Sequence, residues 1–130
     1  MALKNNRPFV SWKRLKKSFY YACKGIQHTW KHEQNFRIHV LVAAAVFISA
    51  QLLQIPIEQQ AVLAVVIGAV IGLELINTAI EHLVDLIVQT YDERAKVIKD
   101  AAAGAVFIFA LTAVAAGVMI FIPHIIELFL

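Results

Sequence analysis

Polar side chains break the second part of an otherwise apolar stretch between residues 61 and 88, among them Glu74, Asn77, Glu81, His82 and Asp85. On a helix, at about 100° per residue, Glu74, Glu81 and Asp85 fall within about 20° of one line, with Asn77 and Thr78 on either side of it. An acid at the centre of a membrane helix costs about 2.5–3.5 kcal/mol to insert, so several on one stripe mark a functional site. Carboxylates with an amide oxygen suit a hard cation such as magnesium. A carboxylate one or two turns further into the apolar phase suits a general base acting on an alcohol that arrives from the bilayer. The plainer reading is charge pairing with a neighbouring helix, and it weighs most for Asp85, nearest the basic loop. For Asn77 it is an interhelical hydrogen bond.

Two further groups stand at the mouths of apolar runs. Lys99 and Asp100 precede the run 101–122, where a cation can hold phosphates, and Glu33 precedes the run that starts at His39. Spacing alone leaves Glu33 an interface residue without an assigned role. His28 and His32 are four apart, a zinc-compatible spacing, but no third ligand accompanies them and an exposed basic face explains them. The chain has no Walker P-loop, no GxGxxG and no soluble-kinase signature, so a nucleotide site here would be unconventional.

The elements that must position these residues follow from hydropathy. The chain has 130 residues and is 60% hydrophobic, against about 45–50% for a soluble domain. It has room for one domain, with lipid as its natural solvent. Residues 9–31 predict an amphipathic helix, with Trp12, Leu15, Phe19, Cys23, Ile26 and Trp30 on one stripe and Lys13, Lys17, Lys24 and Lys31 elsewhere. Such a helix lies in the membrane interface or packs on its own bundle. Three spans are expected at about 37–55, 61–88 and 101–122, with Pro56 ending the first and Pro123 the third. The fold class is therefore all-α: an integral membrane protein with an N-terminal surface helix and three transmembrane helices. The lone Cys23 reads as a small apolar residue without a disulfide, and the polar, basic start predicts no cleavable signal peptide.

Of the 12 Lys and Arg residues, Arg94, Lys96 and Lys99 lie between the second and third runs and the rest lie in residues 1–38. All fall on one side of the membrane, which the positive-inside rule makes cytoplasmic, with the C-terminus outside. Anionic headgroups explain a basic segment beside an apolar one, so no nucleic-acid partner is expected. Gly68 and Gly72 form a GxxxG, and Ala113 and Gly117 are four apart. Small residues let membrane helices approach closely, and three helices cannot shield a polar stripe alone, so a homo-oligomer is expected. Ala43, Ala44 and Ala45 with Gly68, Ala69 and Gly72 leave shallow surfaces that serve either helix packing or a lipid groove.

Three segments, in order, resemble the prokaryotic diacylglycerol kinase family of small trimeric membrane kinases: Glu33-Gln-Asn-Phe-Arg-Ile-His39, Leu73-Glu-Leu-Ile-Asn-Thr-Ala-Ile-Glu-His-Leu-Val-Asp-Leu86 and Ala95-Lys-Val-Ile-Lys-Asp-Ala-Ala-Ala-Gly-Ala-Val106. The likeness runs over roughly 18–117 and is strongest to the Gram-positive branch, whose members act mainly as undecaprenol kinases. It implies a bacterial cell-membrane homotrimer that transfers phosphate from ATP to the hydroxyl of a membrane lipid alcohol. Undecaprenol is the leading substrate, and diacylglycerol, giving phosphatidic acid, is the alternative. By position it implies Glu74 as general base and Glu33 and Glu81 as holders of Mg2+. Arg14, Tyr21, Glu33, Asn77, Glu81, Lys99 and Asp100 would contact the nucleotide, with Asp85 in support. Tyr91-Asp-Glu-Arg94 departs from the family pattern, where a histidine is common. A non-catalytic transporter or assembly factor would use the acids for ion coupling, but it has no need of Lys99-Asp100 together with Glu33.

Overall fold

The computed structural model describes residues 8–130, and every regular element there is a helix: α1 (Trp12–His32), α2 (Gln34–Leu52), α3 (Ile57–Ile87) and α4 (Glu93–Phe129). Lys4 and Arg7 of the basic segment lie outside the described residues. Helices α2, α3 and α4 are each long and apolar enough to cross a membrane. The 19 residues of α2 reach about 28 Å, close to the hydrocarbon thickness of about 30 Å. The 31 residues of α3 reach about 46 Å and the 37 of α4 about 55 Å, so both outrun the bilayer.

Helix ends and apolar-run ends do not coincide, because hydropathy marks where lipid begins whereas caps mark where a helix stops. The run expected to reach Ile55 leaves the helix at Leu52, where Gln54 adopts a left-handed backbone (φ 52°). Ile55 then folds back, its N–H bonding the Ala50 carbonyl at 3.0 Å. Pro56 is the N-cap of α3, which starts before Ala61 and takes Glu58 into its first turn. Helix α4 begins at Glu93, well before the apolar run, because Asp92 caps it by accepting from the Arg94 N–H at 2.8 Å. It also continues past Pro123 instead of stopping at Ile122. A proline removes one rung of the ladder and crowds the carbonyl four residues back. The turns around it persist, and His124 Nδ1 lies 2.9 Å from the Ile120 carbonyl.

Helices α3 and α4 form the most extensive pairing, α2 packs on α3, and α1 touches both α2 and α3. At the α2–α3 turn, Ala50, Ile55 and Leu63 make a buried apolar cluster, closed by Phe47, Ile120 and Phe121. The stripe of α1 divides between the two roles its sequence allows. Exposure is 73% at Trp12 and 66% at Phe19 but 39% at Trp30, so the first turns face away from the bundle. The last ones, with Ile26 and Trp30, border a crevice shared with Phe36, Val40 and Ile71.

Candidate active site

Glu33 is the joint between α1 and α2. Its extended backbone (φ −106°, ψ 116°) ends one helix and starts the other, and its N–H bonds the Thr29 carbonyl at 2.8 Å. Arg37, one turn on, reaches back to the last carbonyls of α1, bonding Trp30 and Lys31 at 3.0 and 3.1 Å. The guanidinium thus caps α1, complementing the negative end of its dipole, and fixes the bend that carries the Glu33 carboxylate. Across the joint, His82 Nε2 lies 3.9 Å from Glu33 Oε1. His82 also meets His28 edge-on at 5.9 Å, and His28 stacks on His32 at 4.2 Å.

The polar stripe of α3 faces inward. Glu74, Asn77 and Thr78 are buried, Glu74 and Thr78 at 4% exposure. Asn77 Nδ2 donates to Glu81 Oε1 at 3.0 Å, while Asn77 Oδ1 is buried without a hydrogen-bond partner. His39 of α2, Glu81 and Glu33 are ionisable neighbours of Glu74. Glu33, Glu74, Asn77 and Glu81 are therefore gathered into one neighbourhood from the α1–α2 joint and α3.

The remaining residues singled out by sequence sit at the α3–α4 connection and on α1. Asp85 forms an ion pair with Lys99, joining the ends of α3 and α4. This is the charge pairing that its place nearest the basic loop suggested. Asp100 pairs with Lys96 within α4. These residues border one pocket, which Thr90, Tyr91 and Asp92 also line. Outside the pocket, the exposed Arg94 guanidinium holds the Asp92 carboxyl below the usual carboxylate range, by side-chain hydrogen bonds at 2.8 and 3.2 Å. Tyr21 lines a cleft between α1 and α3 with His28, Thr78 and His82. Arg14 bonds the Pro8 carbonyl and pairs with none of the acids among the described residues.

The donor set fits a magnesium ion that keeps much of its water. Among the described residues no group of three His, Cys, Asp or Glu side chains is arranged to hold a metal, so there is no all-protein cage. Magnesium needs none: one or two carboxylates suffice when phosphate oxygens and water complete its octahedron. An orphaned buried amide oxygen beside two carboxylates is the acceptor-rich environment such a cation requires, and an uncompensated buried acceptor is otherwise costly.

Two residues beside this cluster escaped the sequence reading as site residues. In the sequence His39 stands out only as the start of an apolar run, and His82 only as one polar side chain of the second stretch. An ionisable side chain at the mouth of an apolar run was the available signal for His39. The expected shallow surfaces also changed. An apolar crevice lies between α2, α3 and α4 and includes Ala43, but Ala44, Ala45, Gly68, Ala69 and Gly72 do not line it. Its other small residues come from α4: Ala110, Ala113 and Gly117. Helix rotation, which composition does not encode, decides which small residues face inward.

The profile of the prokaryotic diacylglycerol kinase family matches residues 20–121. The chain is 44% identical over 110 residues to an undecaprenol kinase of Bacillus subtilis, covering 85% of this chain and 89% of that one. It is 44% identical over 112 residues to a diacylglycerol kinase of Synechocystis, covering 85% of this chain and 64% of the relative.

Proposed function

The chain belongs to the prokaryotic diacylglycerol kinase family and is a lipid kinase that uses ATP, and on that premise we propose that it phosphorylates undecaprenol to undecaprenyl phosphate. The observation that carries the chemistry is the Glu74 carboxylate, buried among membrane-spanning helices beside the Asn77–Glu81 pair. The lipid hydroxyl oxygen attacks the γ-phosphorus of ATP, the bond to the β-phosphate oxygen breaks, ADP leaves, and the hydroxyl proton passes to Glu74. Glu33 and Glu81, with the unpartnered Asn77 Oδ1, would hold Mg2+. That ion supplies neutralisation of phosphate charge. Lys99 is at the α3–α4 mouth, where its ammonium can turn from Asp85 to a phosphate. Tyr21 and Arg14 of α1 and Asp100 of α4 complete the proposed nucleotide contacts, with Asp85 in support.

Undecaprenol is favoured over diacylglycerol because the match spans 89% of the undecaprenol kinase and 64% of the diacylglycerol kinase at equal identity. Matched micelles of the two lipids, tested with one preparation, decide between them. A higher kcat/KM for undecaprenol is expected, with measurable activity on both. A preference for diacylglycerol of about tenfold, some 1.4 kcal/mol in transition-state terms, would move the assignment to the alternative.

The working form is proposed to be a homotrimer in the bacterial cell membrane, with a cytoplasmic N-terminus and an external C-terminus. Two observations support assembly. The apolar part of α4 is only 6% buried within the protomer. A side-chain carbon added at Gly68, Gly72, Gly104 or Gly117 would meet no atom within 4 Å. Cross-linking in detergent should give a ladder ending at three, and a ladder ending at two would exclude the trimer. For orientation, the exposed Cys23 is first replaced by serine. A cysteine at Gln59 should then react with an impermeant thiol reagent outside the cell, and one at Glu93 should not. The reverse pattern would invert the topology.

A further inference from the structure

The crevice between α2, α3 and α4 has a volume of about 340 Å3 and is lined almost wholly by Ile, Val, Leu, Ala, Gly and Phe side chains. Among the described residues one polar side chain lines it, His39. The ring stands at the end of the crevice nearest the acids. His39 is one turn before Ala43 on α2, and Val70 and Ile71 of α3 line the same crevice one turn before Glu74. Val70 and Glu74 are buried on the same helix face. His39 is also an ionisable neighbour of Glu74. The histidine hydrogen bonds among the described residues are those of His32 and His124 with backbone carbonyls one turn back, and the half-buried His39 ring makes none.

An apolar slot that ends in one imidazole, one turn from a buried carboxylate, has the polarity of a long-chain alcohol: hydrocarbon along its length and a hydroxyl at its head. We propose that His39 is the lipid-binding residue that holds the substrate hydroxyl for Glu74, with the first units of the chain lying in the α2–α3–α4 crevice. The proposal rests on the lipid-kinase reading and deepens it by naming the group that contacts the alcohol. One ring nitrogen hydrogen-bonds the hydroxyl oxygen and leaves the hydroxyl proton to Glu74. The role is orientation: a hydroxyl free to rotate in an apolar slot is seldom placed for in-line attack.

The full chain in detergent micelles tests this with undecaprenol, a short-chain prenol and diacylglycerol as acceptors. His39→Ala should raise the KM for undecaprenol and for the short prenol alike, by about tenfold, as loss of one buried hydrogen bond to substrate requires. The KM for ATP should move far less. His39→Gln, which keeps a donor at similar reach, should recover part of the loss. If His39→Ala does not fold, His39→Leu against His39→Gln is scored in the same way. Gly117→Leu probes the crevice itself, since a side chain there meets no atom within 4 Å. It should raise the KM for undecaprenol and leave the short prenol unaffected. An unchanged lipid KM in His39→Ala, or an equal rise in the KM for ATP, would overturn the assignment of His39. An equal effect of Gly117→Leu on both prenols would overturn the placement of the chain. A wild-type preference for diacylglycerol would sink the undecaprenol reading alone, because His39→Ala can still be scored on that lipid.

Discussion

The two ends of the helical bundle are built on opposite rules. At the α2–α3 turn, Ala50, Ile55 and Leu63 are buried at 0–3% exposure in a wholly apolar cluster. At the other end of α3, Glu74, Asn77 and Thr78 are buried along with Val84, and the Asn77 amide oxygen has no partner. The first end is closed by hydrocarbon, and its one buried unpartnered atom among the described residues, Gln59 Oε1, stands alone on the first turn of α3. The second gathers several buried polar groups, with Asn77 Oδ1 unpartnered beside Glu81. Burial without pairing is costly, a cost that the proposed Mg2+ would offset at the second end.

The sharpest way to break that contrast is to remove the oxygen donors one at a time. Glu81→Ala and Glu33→Ala should each lower turnover at limiting magnesium by a factor on the order of ten or more, with added magnesium partly rescuing at least one. A magnesium dependence unchanged in both variants would remove the shared cation site. At the opposite end, Leu63→Ala deletes a side chain that is 1% exposed. It should lower stability by about 2–5 kcal/mol, the usual range for such a cavity. Read by thermal inactivation in detergent, the variant should inactivate sooner while keeping its KM values for ATP and lipid near normal. Changed KM values without lost stability would mean that the two ends are not separate in function.

Much of this division was legible in the sequence. The stripe of Glu74, Asn77, Glu81 and Asp85 needs only helical periodicity to be found, and the structure turns its deeper part inward. The three spans needed only composition. What escaped were features set by caps and rotation. Hydropathy ended the third span at Pro123, yet α4 continues to Phe129 because a proline removes only one rung. The basic loop hid the start of α4, whose first turn is fixed by a polar cap at Asp92. The sequence offers Ala44, Gly68 and Gly72 as groove surface and Ala113 and Gly117 as packing surface, whereas the crevice is lined by Ala113 and Gly117 and by none of the other three. Glu33 gained its role from resemblance. The physical reason for its position is the bend held by Arg37, through contacts between residues six and seven apart across a helix break that periodicity cannot foresee.

The buried Glu74 carboxylate is the proposed general base for phosphate transfer to the lipid hydroxyl. Labelled γ-phosphate of ATP can be followed into the lipid phase in a single turnover, with the wild type and Glu74→Gln compared alongside their ATP Kd values. The wild type should move label from ATP to undecaprenol. Glu74→Gln should bind ATP as before and transfer label slower by a factor on the order of 100 or more, the scale of a lost general base. Transfer at a near wild-type rate by Glu74→Gln would contradict the account.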